Sequence, residues 1–256
     1  MHYARQHWGE ALFPCCPGHE IIGEIIEVGS NVKDHKKGDK VAAGPFRDSC
    51  EECVTCKEGH NNCCLKKPFN YETNIYGKKF GGYSTHLQIK ASHVYIIPDN
   101  LNFQRIAPIM CAGITTFAPL YRYCKKGDRV AVLGFGGLGH FATQWASKIG
   151  CTVDVFSTSH KKDEMIKKYG GENVYCTKDG EHKGLENTYN VMINTIPANV
   201  PKEQLNEFIN CLLPYGTFIQ VGLGLAKDHT LDINPFTVVM KNLQIVGHLV
   251  GDRKDY

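Results

Sequence analysis

The chain lacks a long apolar run. No stretch approaches the roughly 20 residues needed to cross a bilayer. The N-terminus, MHYARQHWGEALF, has no apolar core of signal-peptide length. An excess of charge of one sign is missing too: 29 Lys and Arg stand against 26 Asp and Glu, a net of +3. With no basic stripe and no acidic tail, nothing invites nucleic acid or a membrane surface as a partner. Internal repeats and low-complexity tracts are absent, so repeat architectures drop out. What remains is the expectation of a soluble, cytoplasmic protein of one or two domains.

Cysteine, by contrast, is plentiful, with twelve in the chain. Without a secretory leader, close clustering of cysteines points to metal rather than to disulfides. The stretch CEECVTCKEGHNNCC holds Cys50, Cys53 and Cys56 in a C-x-x-C-x-x-C spacing, with Cys63 and Cys64 following. Four thiolates, Cys50, Cys53, Cys56 and Cys64, suit a closed tetrahedral structural zinc site. An iron–sulfur cluster is the competing metal. A second cluster motif and a proline after the last cysteine, which would favour it, are both missing. His60 reads as a solvated loop histidine.

The chain reads in two halves. From Pro14 to Ile97, EIIGEIIEVG, KVAAG, GGYSTHLQI and HVYIIPDN are strand signals separated by turns. Gly59–Lys79 shows no strong periodicity and reads as surface loop. After Asn100, strands alternate with helices: RVAVL, TVDVFSTS, NVYC, YNVMINTI, GTFIQVG and NLQIVGHLV are strands, and KKDEMIKKYG and KEQLNEFINCLL are helices. That alternation predicts a parallel sheet covered on both faces. The boundary falls in CAGITTFAPLYRY, Cys111–Tyr123.

Directly after RVAVL, Gly134, Gly136 and Gly139 form G-x-G-x-x-G and open an apolar helix. The first glycine permits a tight turn, the second lets backbone approach a pyrophosphate, and the third lets helix pack on strand. Helix N–H groups then attract the phosphates. A merely Gly-rich βα turn is the bland alternative, and the strand–turn–helix context weighs against it. At the end of the next strand an acidic residue would select NAD through its ribose. Ser157, Thr158 and Ser159 stand there instead, with Lys161 and Lys162 beyond, which favours NADP.

His19 and Glu20 lie in PGHEIIGEIIEVGSNV, which carries G-H-E-x-x-G-x5-G-x-x-V from Gly18 through Gly23 and Gly29 to Val32. With FPCCPGHEIIGEI, SCEECVTCKEG, FGGYS, MCAGITT, GFGGLGH and FSTS in this order, the chain resembles the zinc-dependent medium-chain alcohol dehydrogenases. Within them it is most similar to the cinnamyl-alcohol and bacterial aldehyde reductase branch.

The resemblance implies an α/β fold: a Rossmann doubly wound parallel sheet over 118–256, plus a mostly-β GroES-like domain over 1–117. It implies interconversion of primary alcohols and aldehydes, including aromatic ones, with NADP(H) and zinc. His19, Glu20 and Cys111 would serve the catalytic zinc, and Cys50, Cys53, Cys56 and Cys64 the structural one, leaving Cys63 aside. His2 would join a proton relay beside the cofactor ribose. Gly134, Gly136, Gly137, Leu138 and Gly139 would form the pyrophosphate turn. Ser157, Thr158, Ser159 and Lys162 would hold the NADP phosphate. A homodimer through the Rossmann domain, at NLQIVGHLV, is also implied. Trp8 and Phe69 are candidates to line the substrate pocket, with ordinary packing as the alternative.

The chain departs from the family at both ends. Met1 stands directly before His2, so the first zinc cysteine of relatives would lie ahead of it. The opening strands and the closing C-terminal segment are likewise expected to be missing. Cys16, three residues before His19, reads as a small buried hydrophobe rather than a substitute ligand. An impaired fragment that binds zinc and nucleotide is therefore the alternative, with one firm zinc and weak or absent NADPH-dependent reduction. A zinc-free NADPH quinone reductase of the same superfamily fits less well, because the structural cysteine set and the GHE motif are complete.

Overall fold

The computed structural model describes residues 5–6, 13–67, 81–224 and 230–256. Backbone contacts divide the chain into two units: Met1–Ile114 with Val250–Tyr256, and Thr115–Leu249. The cut falls a little before the 117/118 boundary drawn from sequence, and the final residues belong with the first unit rather than the second.

In the first unit, β1 (Ile21–Glu24), β2 (Lys40–Ala43) and β3 (Tyr95–Ile96) form an antiparallel sheet in the order β1-β2-β3. The register sets Ile21 opposite Ala43 and Val41 opposite Ile96. Its apolar core is small: Ala42, Ile97, Ile106 and Met110, with Ile22, Tyr95, Phe103 and Tyr256 packed around them. Tyr256 stacks on Tyr95 with centroids 4.2 Å apart and donates its hydroxyl to the Met110 carbonyl at 2.9 Å. That contact draws the chain end into this unit. A short helix, α1 (Val54–Lys57), sits inside the cysteine-rich loop.

The strand expected at GGYSTHLQI does not form among the described residues. Gly82 and Tyr83 donate to the carbonyls of Gly18 and Pro17 at 2.8 and 3.0 Å, and the pairing goes no further as a ladder. Tyr83 through His86 are exposed. Of its alternating Tyr83, Thr85, Leu87 and Ile89 only the last two are half-buried, so the segment gains little from extending the sheet.

The second unit opens with α2 (Ala112–Tyr123), which begins just before the cut and was read from sequence only as a boundary. Six parallel strands follow: β4 (Arg129–Leu133), β5 (Thr152–Ser157), β6 (Asn173–Cys176), β7 (Tyr189–Asn194), β8 (Leu212–Gln220) and β9 (Gln244–Gly247). Their order in the sheet is β6-β5-β4-β7-β8-β9. The order reverses at β4, where a doubly wound sheet opens its binding crevice. The connecting helices are α3 (Gly137–Ile149), α4 (Asp163–Lys168), α5 (Lys202–Asn210) and α6 (Pro235–Met240).

Side-chain alternation along the strands builds a core on each face. Val130 and Val132 pack with Val153, Val155 and Ile193 against Ala142, Ala146 and Ile166 of α3 and α4. Ala131 and Leu133 pack with Phe156, Met192 and Phe218 against Leu205, Phe208 and Ile209 of α5. Burial on both faces explains why these strands read as nearly continuous apolar runs. No helix among the described residues is long and apolar enough to cross a membrane.

Candidate zinc centres and dinucleotide turn

One Sγ from each of Cys50, Cys53, Cys56 and Cys64 lies within 4.8 Å of every other. Cys53 caps α1 and Cys56 lies within it, so one helical turn brings these two together. The three-residue 3-10 turn Asn61–Cys63 then delivers Cys64. Backbone amides point at the sulfurs: Cys53 N–H to Cys50 at 3.3 Å, and Lys67 N–H to Cys64 at 3.2 Å. The Thr55 hydroxyl, then the Cys56 amide, hold the Cys53 thiol down to about 5.

Cys53, Cys56 and Cys64 are buried, and with Cys50 they form a cluster of sulfur alone. A loop without an apolar core, built around four converging thiols that receive hydrogen bonds, fits a structural zinc held in a closed site. Cys63 is exposed and lies outside the group. His60 is more than a solvated loop residue: its Nδ1 lies 2.7 Å from Oδ2 of the buried Asp252.

A second donor set lies in the same unit. His19, Glu20 and Cys111 each offer an atom within 4.8 Å of the others. His19 and Glu20 immediately precede β1, and Cys111 immediately precedes α2, so sheet and helix fix the two halves of the set. Burial pushes the His19 imidazole down to about 4, so its neutral, lone-pair form persists across ordinary pH. Burial raises the Glu20 carboxyl, although the Ala112 amide donates to it. One nitrogen, one sulfur and one oxygen around a common point suit zinc with a fourth position open. Cys16 is not in this set; its thiol faces the carbonyls of Gly81 and Tyr83 at 3.3 and 3.4 Å. His2, Trp8 and Phe69 lie outside the described residues.

The third feature is the turn between β4 and α3. Gly134 has φ +85°, a conformation that favours glycine, and its amide bonds Phe156 O at 2.8 Å. A Cβ on Gly139 would lie 2.0 Å from Gly134 O, so only glycine lets α3 approach the strand this closely. At Gly136 and Gly137 a Cβ would meet nothing within 4 Å. Those two positions are exposed and open onto the space before the helix N-terminus. The N-cap of α3 is Gly136, which has no side chain to cap it, so the first amides of the helix suit an anion. The cradle fits a pyrophosphate.

Leu138 packs its side chain against the core, which leaves its backbone to the turn. Lys162 donates Nζ to Phe135 O at 2.9 Å, fixing its ammonium beside the turn. Ser157 ends β5 and bonds Ser159 O at 3.0 Å, and Thr158 is exposed next to it. Thr195 escaped the sequence reading: its hydroxyl donates to Leu133 O at 2.8 Å and braces the turn from β7. Nothing in INTIPANV marks that role before strand neighbours are known.

Comparison with known proteins agrees with this assembly. The alcohol dehydrogenase GroES-like domain family matches residues 1–99, and the zinc-binding dehydrogenase family matches residues 137–256. NADP-dependent alcohol dehydrogenase C 1 of Mycolicibacterium smegmatis is 35% identical over 98% of this chain and 72% of its own length. Cinnamyl alcohol dehydrogenase 8 of Arabidopsis thaliana is 33% identical over 100% of this chain and 71% of its own. Among solved structures, CAD from Helicobacter pylori complexed with NADP(H) superposes with a TM-score of 0.88 at 33% identity. That match covers 99% of this chain and 73% of the other. The chain belongs to the zinc-dependent medium-chain alcohol dehydrogenases, in their cinnamyl-alcohol-dehydrogenase-like branch.

Proposed function

We propose that the protein interconverts primary alcohols and aldehydes, aromatic ones among them, using NADP(H) and a zinc held by His19, Glu20 and Cys111. The observation that carries this reading is the convergence of those three unlike donors, from two distant segments, to within 4.8 Å. Bound there, zinc would polarise the substrate oxygen, and the nicotinamide would carry the hydride.

The chain's own residues account for the rest. His19 stays neutral through burial and so keeps a lone pair available. Glu20, whose carboxyl accepts from the Ala112 amide, would supply the oxygen ligand of that zinc. The turn at Gly134–Gly139 receives the pyrophosphate through bare backbone. Lys162 and the hydroxyls of Ser157, Thr158 and Ser159 favour the extra phosphate of NADP. Cys50, Cys53, Cys56 and Cys64 hold a second zinc that keeps their loop folded. Among the described residues β9 pairs with β8 alone, and such an edge strand suits homodimer formation. The names of the relatives favour an enzyme over an impaired fragment.

The test is reduction of cinnamaldehyde by the purified chain with deuterium-labelled NADPH, alongside zinc counting. Deuterium should appear on the product carbinol carbon, with NADPH preferred to NADH. His19→Gln should lose turnover and one zinc together. A chain that binds NADPH and a full zinc complement yet transfers no deuterium is an impaired fragment, and the proposal fails.

A further inference from the structure

The carboxyl ends of β5 and β6 carry a third set of ligating groups that neither the dinucleotide turn nor the two zinc centres use. A ring nitrogen of His160, the thiol of Cys176 and a carboxylate oxygen of Asp179 lie within 4.8 Å of one another. We propose that these three residues bind a divalent transition metal, zinc by the chemistry of the set, as a further site within the second unit.

The scaffold is fixed by adjacent strand ends. Cys176 is the last residue of β6, is 2% exposed, and pairs with Ser157 at the end of β5. Thr177 N–H and its hydroxyl both bond the Ser157 carbonyl, at 2.7 and 3.2 Å, so the start of the turn toward Asp179 is pinned. His160 opens a 3-10 turn that runs straight into α4. The donors thus come from two chain segments brought together by the sheet, rather than from neighbouring positions in one loop.

The surrounding groups are those that metal-binding residues require. Asp163 Oδ2 lies 2.9 Å from His160 Nδ1, and Glu181 Oε1 lies 3.0 Å from Nε2. Whichever nitrogen takes the metal, the other stays oriented by a carboxylate, the usual outer partner of a ligating histidine. The second oxygen of Glu181 accepts the Cys176 amide at 2.6 Å, which ties two of the three ligands to one carboxylate. Asp163 Oδ1 is buried and has no hydrogen-bond partner among the described residues, so the cluster holds unused acceptor capacity. Asp163, Asp179 and Glu181 place three carboxylates around one imidazole, an excess of negative charge that a cation would offset.

Spacing and softness narrow the metal. Tetrahedral zinc sets sulfur and nitrogen ligands about 3.5 Å apart. His160 and Asp179 are exposed and can close that gap by side-chain rotation, while the buried thiol stays still. A thiol with an imidazole selects zinc or cobalt over magnesium or calcium.

The experiment uses the full chain, stripped with chelator and reloaded with zinc or Co²⁺ at one free metal concentration. Metal per chain is counted by native mass spectrometry, and the thiolate–cobalt charge-transfer band is read in the near ultraviolet. His160→Gln and Asp179→Asn, both at exposed positions, should each bind one metal fewer than the parent, and the band should fall by the share of one thiolate. Cys176→Val should show the same loss. The centres at Cys50–Cys64 and at His19 lie in the other unit and should keep their metal in all three variants. Unchanged metal counts in His160→Gln and Asp179→Asn would overturn the site, reducing the cluster to a histidine paired with two carboxylates. Turnover does not enter the readout, so failure here leaves the dehydrogenase reading standing, and the reverse also holds.

Discussion

Arg129 grips Asp154 with two of its nitrogens, Nε at 2.9 Å and Nη2 at 2.7 Å, both on one carboxylate oxygen. Asp154 is fully buried in β5 and also accepts from the Tyr189 hydroxyl and the Asn173 amide, each at 2.9 Å. Four neighbouring strands therefore meet at one carboxylate. Removing one partner of a buried charge pair costs about 3–5 kcal/mol. Because two donors remain, Arg129→Met should fall at the low end, about 3 kcal/mol. Adding Asp154→Leu should recover part of that loss, since no unpaired charge is left behind. Urea titration followed by Trp145 fluorescence, within the same unit, measures both.

Two glycines of one turn should answer substitution differently. Gly139→Ala sets a Cβ against the Gly134 carbonyl, so the helix must move and the second unit should lose stability by several kcal/mol. Gly136→Ala projects into open space, so the melting temperature should hold while NADPH binding weakens tenfold or more in order of magnitude, about 1.4 kcal/mol. Thermal unfolding and NADPH fluorescence titration, run on both variants, separate the two roles. Equal losses of melting temperature would remove the case for a cradle at Gly136.

The second unit was largely legible from sequence because its elements follow local rules. NVYC is a strand of just those four residues, and α3 runs from the glycine turn to Gly150, which sits at φ +97° as a helix-ending glycine should. The first unit was less legible. GGYSTHLQI alternates Tyr83, Thr85, Leu87 and Ile89 with Ser84, His86 and Gln88 as a strand should, yet only Gly82 and Tyr83 bond the distant carbonyls of Gly18 and Pro17, and no ladder forms among the described residues. The cut between Ile114 and Thr115 does fall in CAGITTFAPLYRY, whereas the helix α2, with Pro119 inside it, is not marked there by local signals. Spacing marks Cys50, Cys53 and Cys56 as a cluster and the family resemblance sets Cys64 apart from its neighbour Cys63, whereas nothing in the sequence marks the His160–Cys176–Asp179 set. Its members are drawn together by strand pairing, and no spacing motif links them.

Lys162 should decide between the two nicotinamide cofactors. Its ammonium is tethered to Phe135 O, which holds it near the turn whether or not cofactor is present. A pre-positioned cation pairs with a 2′-phosphate at little entropic cost, and hydrogen bonds to charged groups contribute about 1.5–3 kcal/mol. Lys162→Ala should raise KM for NADPH roughly tenfold or more and leave KM for NADH nearly unchanged. The parent's preference should also shrink with added salt, because exposed charge pairs are screened. Initial rates with both cofactors at two ionic strengths check this.

His93 should make the first unit acid-sensitive. The ring is 3% exposed, its Nδ1 lies 3.0 Å from the Ser92 hydroxyl, and its Nε2 has no partner among the described residues. Burial holds the imidazole down to about 4, while nearby Asp48 and Glu51 are offset by Lys90 and Arg253. The unfolded chain takes a proton near pH 6.5, and the folded chain refuses it until about pH 4. Between those values the unfolded state binds more protons, so stability falls as pH falls; above the window His93 adds no pH dependence. The loss approaches about 3 kcal/mol at the acid end. His93→Leu removes the proton site and should flatten the curve, while the thiol and His19 contributions persist in both proteins and cancel in the difference. Hydrogen exchange at β2 and β3, followed by mass spectrometry at pH 7 and at pH 4.5, compares them, with rates corrected for intrinsic pH dependence. Parallel profiles for parent and variant would show that the buried ring is not what acid attacks.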